Sequence, residues 1–242
     1  MRDIISFSLY GSDALYCRGA IENARLARGL YPEWGCRFYC SNDVPGEIVS
    51  GLLAEDAEII MLTRAFRCDG MVWRFYPLND TTVRRWLSRD ADSRLNRRER
   101  AAVDEWIGSE RTAHIMRDGR NHFAKILGGM FGIDNTLLRD RHSVPDIAEH
   151  AKQYATHFTQ QKGADQRLLA DVLWPLIEDD HLAHDHYGHF HTGHERPFPI
   201  ANDDTITTYV GQPVPVEPTG PVTDRIRRWV SAELYARQKL GR

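Results

Sequence analysis

Apolar positions along the first 62 residues follow two alternating rhythms. Ile4 to Leu9 is dense in β-branched and aromatic residues and predicts a strand. Gly11-Ser12-Asp13 breaks that run, and Ser12 or Asp13 is suited to cap a helix over Ala14 to Leu30. There Ala20, Ala24 and Ala27 recur at helical spacing, and Pro32 follows the end. Cys36 to Cys40 predicts a second strand, Asn42 to Pro45 opens a short helix to about Leu53, and Glu58 to Leu62 predicts a third strand. Strands alternating with helices in this order predict a mostly parallel sheet flanked by helices on both faces, with right-handed crossovers.

Further along, Trp73 to Pro77 is aromatic-dense and predicts a buried turn or short helix. Val83 to Ser88 is the next expected strand, although Arg84 and Arg85 interrupt its apolar character. Asn96 to Ile107 predicts a helix that buries Ala102, Val103, Trp106 and Ile107. Ala113 to Met116 and Ile126 to Ile133 read as strands, the second containing Gly128-Gly129, and Gln166 to Ile177 as a long helix. Six of the eleven prolines fall between Pro197 and Pro221, which predicts an irregular surface excursion. Val222 to Leu240 has the pattern of a final amphipathic helix docking back. The expected organisation is one α/β domain over residues 1–196, with a Pro-rich extension and helix over 197–242 on the same domain.

Composition narrows the function classes. In 242 residues, 42% hydrophobic and 27% charged content excludes a disordered tail and a membrane-embedded chain. No apolar run approaches the roughly 20 residues that span a bilayer, and Met1-Arg2-Asp3-Ile4 leads straight into a strand, so a cytoplasmic protein is expected. With 31 basic and 34 acidic residues the net charge is −3, and no nucleic-acid partner is expected. Seven arginines between Arg84 and Arg100 read first as a solvated helix face paired to nearby acids. Cys17, Cys36, Cys40 and Cys68 form no CxxC pair, and Cys36 and Cys40 suit small core positions.

Four places carry candidate chemistry. Asp90-Ala91-Asp92 follows a predicted strand, where extended backbone points residues two apart to one side, so both carboxylates would face a common ligand. Hard cations such as Mg²⁺ or Mn²⁺ favour such oxygen pairs and take their remaining ligands from phosphates and water. The spacing is weak alone; its position at the carboxyl end of a strand in an α/β chain gives it weight. His181 to His194 holds six of the eleven histidines. It reads either as a polar surface loop with adventitious metal affinity or, with the short strand-like Leu182-Ala183 leading in, as the source of a further ligand, His184 being the choice. A zinc enzyme fits poorly, because no HExxH motif is present and no cysteine lies near. Gly128-Gly129 marks close approach of a ligand or of another segment, with Lys125 and His122 just before it able to reach a phosphate. Asp165 opens a helix, which an N-cap role explains, and a general-base role is the other reading.

In order, these features are the strand Ile4 to Leu9 with its polar turn, Asp90-Ala91-Asp92-Ser93, KILGGMFG at Lys125 to Gly132, Ala164-Asp165-Gln166, and His184-Asp185. The pattern resembles the GT-A-fold glycosyltransferases that use a DxD motif, and within them small bacterial and viral proteins of capsule or surface-glycan synthesis. SRDADSRLNRRERAAVDEW followed by HIMRD is its most specific part, and the likeness runs from about residue 4 to 190. It implies a nucleoside-diphosphate sugar donor, UDP- or GDP-linked, a glycan acceptor, and a Mn²⁺ or Mg²⁺ ion. Asp92 would bind the metal, Asp90 the metal or the donor ribose, and His184 would complete the metal site. Leu9, Tyr10 and Gly11 would hold the nucleobase, Arg74 and Lys125 the diphosphate or sugar, and Gly128 and Gly129 the floor beneath the transferred sugar. Asp165 would be the catalytic carboxylate on the acceptor side.

Two other readings compete. A nucleotidyltransferase is disfavoured because Tyr10-Gly11-Ser12-Asp13 lacks the Gly-rich turn with arginine and lysine that holds a triphosphate. A non-catalytic glycan- or metal-binding protein would keep the fold but not depend on Asp90 or Asp92 for turnover.

Overall fold

The computed structural model describes residues 1–66, 69–157, 163–201 and 209–215. Eight strands among them form one sheet: β1 (Arg2–Leu9), β2 (Gly35–Ser41), β3 (Glu58–Leu62), β4 (Val83–Arg89), β5 (Ala113–Arg117), β6 (Met130–Asp134), β7 (His181–Asp185) and β8 (Glu195–Arg196). Their order is β3-β2-β1-β4-β6-β5-β7-β8, and every pairing is parallel except the two made by β6. The helices are α1 (Ala14–Leu30), α2 (Gly46–Ala54), α3 (Asp69–Val72), α4 (Arg97–Ser109), α5 (Asn135–Arg141), α6 (Ile147–His157), α7 (Ala164–Leu168) and α8 (Trp174–Ile177). The expected mostly parallel α/β fold is therefore present. Among the described residues no helix is long and apolar enough to cross a membrane.

Alternation along the strands divides the core in two. Ile4 and Trp86 point to the face covered by α5, α6, α7 and the 3-10 turn Trp73–Asn79, while Ile5, Phe7 and Leu87 point to the face of α1, α2 and α4. The predicted limits of α1 match, because Asp13 caps it by accepting a hydrogen bond from Leu15 N at 2.8 Å. Its buried stripe of Cys17, Gly19, Ala20, Asn23, Ala24 and Ala27 is small, which seats the helix close to the sheet.

Four expectations need correction. β6 begins at Met130, not Ile126: Met130 N closes a turn onto Leu127 O at 3.0 Å, and the Gly128 and Gly129 carbonyls accept from the Ser88 and Arg89 side chains, so Gly128-Gly129 precedes the strand. The expected long helix starts at Ala164 and passes through a π-helical stretch, Leu169–Leu173, before α8. Gly163, not Asp165, is its N-cap, with φ +79°. His181 to Asp185 is a buried strand and not a surface loop. Residues 209–215 stay partly at the surface but are tied to the body: Val214 N donates to Asp92 O at 2.8 Å, Val210 N donates to Asp118 Oδ2 at 2.9 Å, and Phe198 and Val210 are buried against Met116 and Met130. The predicted helix at Val222 to Leu240, like Cys68, lies outside the described residues; Cys17, Cys36 and Cys40 are buried free thiols.

The arginine cluster is paired as expected, yet much of it is structural and not a solvated face. Arg84 binds Asp3, Arg85 binds Asp134, Arg94 binds Glu22 and Arg98 binds Asp118. Arg89 and Glu99 are both fully buried with 2.9 Å between Nη2 and Oε2. Burial raises the Glu99 pKa, which the Arg89 charge counters. Glu99→Ala is expected to lose about 3–5 kcal/mol, because it strands a buried guanidinium, whereas Arg89→Met with Glu99→Leu regains part of that loss. Urea unfolding checks this; a double variant no better than the single one contradicts it.

Candidate active site

The chain leaves β1 toward β2 and β3, then returns to β4 on the opposite side of β1. Such a switch opens a crevice at the carboxyl ends of the two central strands. The acidic segment sits there. It is a turn and not extended backbone: β4 stops at Arg89, and Ser93 Oγ donates to Asp90 O at 3.1 Å. Asn23 of α1 staples the turn, donating to Ser93 O at 2.7 Å and accepting from Leu95 N at 3.0 Å. Gly19, one turn earlier on α1, is needed for space, because a Cβ there would collide with Ala91 O. The Arg94 guanidinium donates to the carbonyls of Asp92 and Ser93 at 3.2 and 3.1 Å.

Arg74 stands between two of the predicted carboxylates. Its Nη1 donates to Asp90 Oδ1 and its Nη2 to Asp165 Oδ2, the latter at 2.9 Å. Arg74 is buried, which opposes its charge, yet Asp90 and Asp165 outweigh that and raise its pKa. Asp165 is raised chiefly by burial, with Arg74 pulling the other way. The glycine pair forms the floor beneath this group. A Cβ on Gly128 would strike Asp165 and Arg74, and one on Gly129 would strike Asp90. Ser88 Oγ and Arg89 Nη1 hold the two glycine carbonyls at 2.5 and 2.7 Å.

Asp92 has a different environment. Its carboxylate is half-buried, meets its own backbone N–H, and accepts from no side chain among the described residues. Burial, then the charge of Asp90, pushes its pKa up to about 6. The neighbouring Tyr16 phenol is likewise pushed up to about 12 by burial and by Asp92. Beyond them lies the turn after β1, with Leu9 buried and Tyr10 38% exposed. Gly11, at φ +74°, donates its N–H to Asp43 Oδ1 at 2.8 Å. Arg64 binds Asp43 Oδ2 at 2.7 Å and lies 5.7 Å from the Tyr10 ring centroid. Leu9, Tyr10, Gly11, Arg74, Asp90, Asp92, Gly128, Gly129 and Asp165 are thus brought to one edge.

His184 is not. Both His184 nitrogens are engaged, Nδ1 with His114 Nε2 at 2.8 Å and Nε2 with Glu105 at 3.3 Å, so neither faces the acidic turn. The Lys125 ammonium lies 5.2 Å from the Trp174 ring centroid. Among the described residues, no group of three or more His, Cys, Asp or Glu side chains could hold a metal by itself. The Asp90–Asp92 pair nonetheless fits a hard divalent ion that draws its other ligands from phosphate and water, since Asp92 has unspent acceptor capacity beside a second carboxylate. Sequence reasoning missed Gly19, Asn23, Tyr16 and Arg89. The one available signal was a glycine and an asparagine on the apolar stripe of α1.

No protein-family model and no curated protein matches the chain. Solved structures similar to it include the galactosyltransferase LgtC in complex with donor and acceptor sugar analogues, at 12% identity and TM-score 0.46, covering 76% of this chain and 73% of that one. Another is the mannosyltransferase PcManGT from Pyrobaculum calidifontis in complex with GDP-Man and Mn²⁺, at 11% identity and TM-score 0.47, covering 76% and 55%. A third is the 4-diphosphocytidyl-2C-methyl-D-erythritol synthase from Anaerococcus prevotii, at 12% identity and TM-score 0.41, covering 70% and 82%. These likenesses are too distant to assign chemistry, which stands on the residues themselves.

The buried histidines set an acid sensitivity. His122 accepts hydrogen bonds at Nδ1 from Asp118 N and Gly119 N, at 3.1 and 3.0 Å, and burial lowers its pKa to about 4. An unfolded histidine protonates near pH 6.5, so stability is held above that pH and lost as pH falls toward about 4. His114 and His184, also lowered by burial, act in the same direction. Each contributes a slope of up to about 1.4 kcal/mol per pH unit. His122→Asn is expected to flatten the stability–pH curve by one proton in that window, read by urea unfolding from about pH 7 to about pH 5. A slope equal to that of the parent contradicts the assignment.

Proposed function

We propose that this chain is a GT-A-type glycosyltransferase that moves a sugar from a UDP- or GDP-linked donor to a hydroxyl of a glycan acceptor, with Mn²⁺ or Mg²⁺ as cofactor. The observation that carries this reading is the acidic turn. Two neighbouring carboxylates sit at the carboxyl edge of a mostly parallel sheet, at its switch point, and one of them has no side-chain hydrogen-bond partner among the described residues. Asp90 and Asp92 would hold the ion, which when bound supplies positive charge to the departing diphosphate.

The remaining roles follow from the residues around it. Tyr10 and Gly11, with Leu9 behind them and Asp43 and Arg64 beside them, offer an aromatic face and polar groups to the nucleoside end of the donor. Gly128 and Gly129 present backbone where a side chain would block the transferred sugar. In the reaction the bond from the sugar's anomeric carbon to the diphosphate oxygen breaks, and a bond from that carbon to the acceptor oxygen forms. The acceptor's proton goes to a carboxylate, and Asp165 is the one we assign. Burial raises its proton affinity while Arg74 offsets that rise, the balance a general base requires. Arg74 keeps its charge in this setting, so it positions Asp165 and faces donor oxygens without exchanging a proton.

Calorimetric titration with UDP and GDP, each with and without Mn²⁺, tests the assignment. One nucleotide is expected to bind only when the metal is present, and Asp92→Asn is expected to weaken that binding about 100-fold or more while the fold persists. Absence of nucleotide binding by the folded chain, or metal-dependent binding unchanged in Asp92→Asn, overturns it.

A further inference from the structure

We propose that Phe123, Tyr187 and His189 form an aromatic platform that binds a saccharide ring beside the acidic turn. The platform is built where two loops meet. β5 and β7 pair in parallel with Arg117 opposite Asp185, so the segments after them, residues 118–129 and 186–194, leave the same edge of the sheet as Asp90. The first of these loops runs directly into Gly128-Gly129. The nucleoside corner at Tyr10 lies on the other side of β4, across the strands β1 to β3.

Buried Arg117 ties the two loops together. It donates to Ala124 O and Lys125 O at 3.1 and 2.6 Å, its Nη1 lies 3.4 Å from Asp185 Oδ2, and its guanidinium carbon lies 4.2 Å from the Phe190 ring centroid. Asp185 Oδ1 in turn accepts from Tyr187 N and Gly188 N at 3.2 and 2.9 Å, and Gly188 takes φ +63°. This fixed turn holds Tyr187 in water and His189 half-buried beneath it. Phe123 is 67% exposed, more than any other phenylalanine, tyrosine or tryptophan among the described residues, and Tyr187 is 42% exposed. Phe123 and His189 lie 4.5 Å apart between centroids, tilted by 51°, and His189 and Tyr187 lie 5.7 Å apart at 28°, so the three rings form one contiguous cluster with Phe123 and Tyr187 at its outside. The Arg120 guanidinium lies 5.6 Å from the Tyr187 centroid, and His189 Nε2 has no hydrogen-bond partner among the described residues.

Rings held open in this way are an unfilled apolar surface with polar groups at its margin. A pyranose matches that chemistry, because its C–H face packs on aromatic rings while its hydroxyls meet the Arg120 guanidinium at their margin. Three rings are far too small for a protein partner, which needs about 800 Å² per side. The saccharide assignment rests on this geometry; that the bound saccharide is the acceptor rests on the transferase reading given above.

Saturation-transfer NMR on the full chain is the test, with methyl glycosides of glucose, galactose, mannose and N-acetylglucosamine, and lactose, as probes. At least one is expected to bind with the strongest transfer to its ring C–H protons. Phe123→Ala or Tyr187→Ala should weaken that binding about tenfold, and Phe123→Trp should retain it. No transfer to any probe, as when another segment or a protein covers the rings, overturns the proposal, and so does binding unchanged in both alanine variants. Nucleotide titration of the same wild-type sample reports separately on the transferase reading. Nucleotide binding without saccharide binding sinks the platform alone, and the reverse sinks the acceptor role alone.

Discussion

Arg89 is the tie on which the centre of this molecule depends. It ends β4 and is wholly buried, and it touches three elements at once: Glu99 on α4, the carbonyl of Gly129 ahead of β6, and the hydroxyl of Ser93 within the acidic turn. Placing a guanidinium there is costly in desolvation, and the Glu99 carboxylate offsets part of that cost only through its position. Asn96 caps α4 by accepting from Glu99 N at 2.9 Å. The Glu99 side chain does not turn back to complete a capping box; it turns inward to the arginine. A local capping interaction is thereby exchanged for a long-range one that sets where the helix, the turn and the glycine floor lie.

The backbone of the acidic turn is accordingly held from every side, which leaves the Asp92 carboxylate without a side-chain partner among the described residues and the Asp90 carboxylate paired only with Arg74. Asn23 and Arg94 occupy its carbonyls and amides, and Val214 takes the Asp92 carbonyl. Gly19 yields the space on one side and Gly129 on the other. Backbone satisfaction is complete enough that the side chains of Asp90 and Asp92 need not serve as caps, as aspartates in turns usually do. Spared that work, Asp92 can face a ligand while Asp90 is oriented by Arg74, and preorganisation of this kind suits a site that must bind without first rearranging.

Much of this was legible in the chain. The alternation of Ile4 to Leu9, the alanine stripe of α1 and its Asp13 cap are local signals, and they locate the first strands and helices closely. The Asp90-Ala91-Asp92 spacing and the glycine pair also point to the edge that the fold brings together. What local signals could not carry was set by partners distant in sequence. Gly128-Gly129 beside an apolar Met-Phe-Gly-Ile run reads as strand until Ser88 and Arg89 take the two carbonyls. His181 to Asp185 reads as a polar loop because the burial of His184 depends on His114, some 70 residues away. That same pairing separates His184 from the acidic turn. Arginines 84 to 100 look like a charged helix face, since nothing in the segment shows that Asp3, Glu22, Asp118 and Asp134 converge on it.

In the proposed function, the carboxylate pair at this sheet edge serves breakage of a sugar–diphosphate bond. Its most direct test is release of free UDP or GDP from a panel of UDP- and GDP-sugars, followed by chromatography with Mn²⁺ and with the metal removed by chelation. The account predicts release from one donor class, dependent on the metal and restored when Mn²⁺ is returned. Folded protein that releases no nucleotide from any of these donors, or releases it equally well without metal, would contradict it.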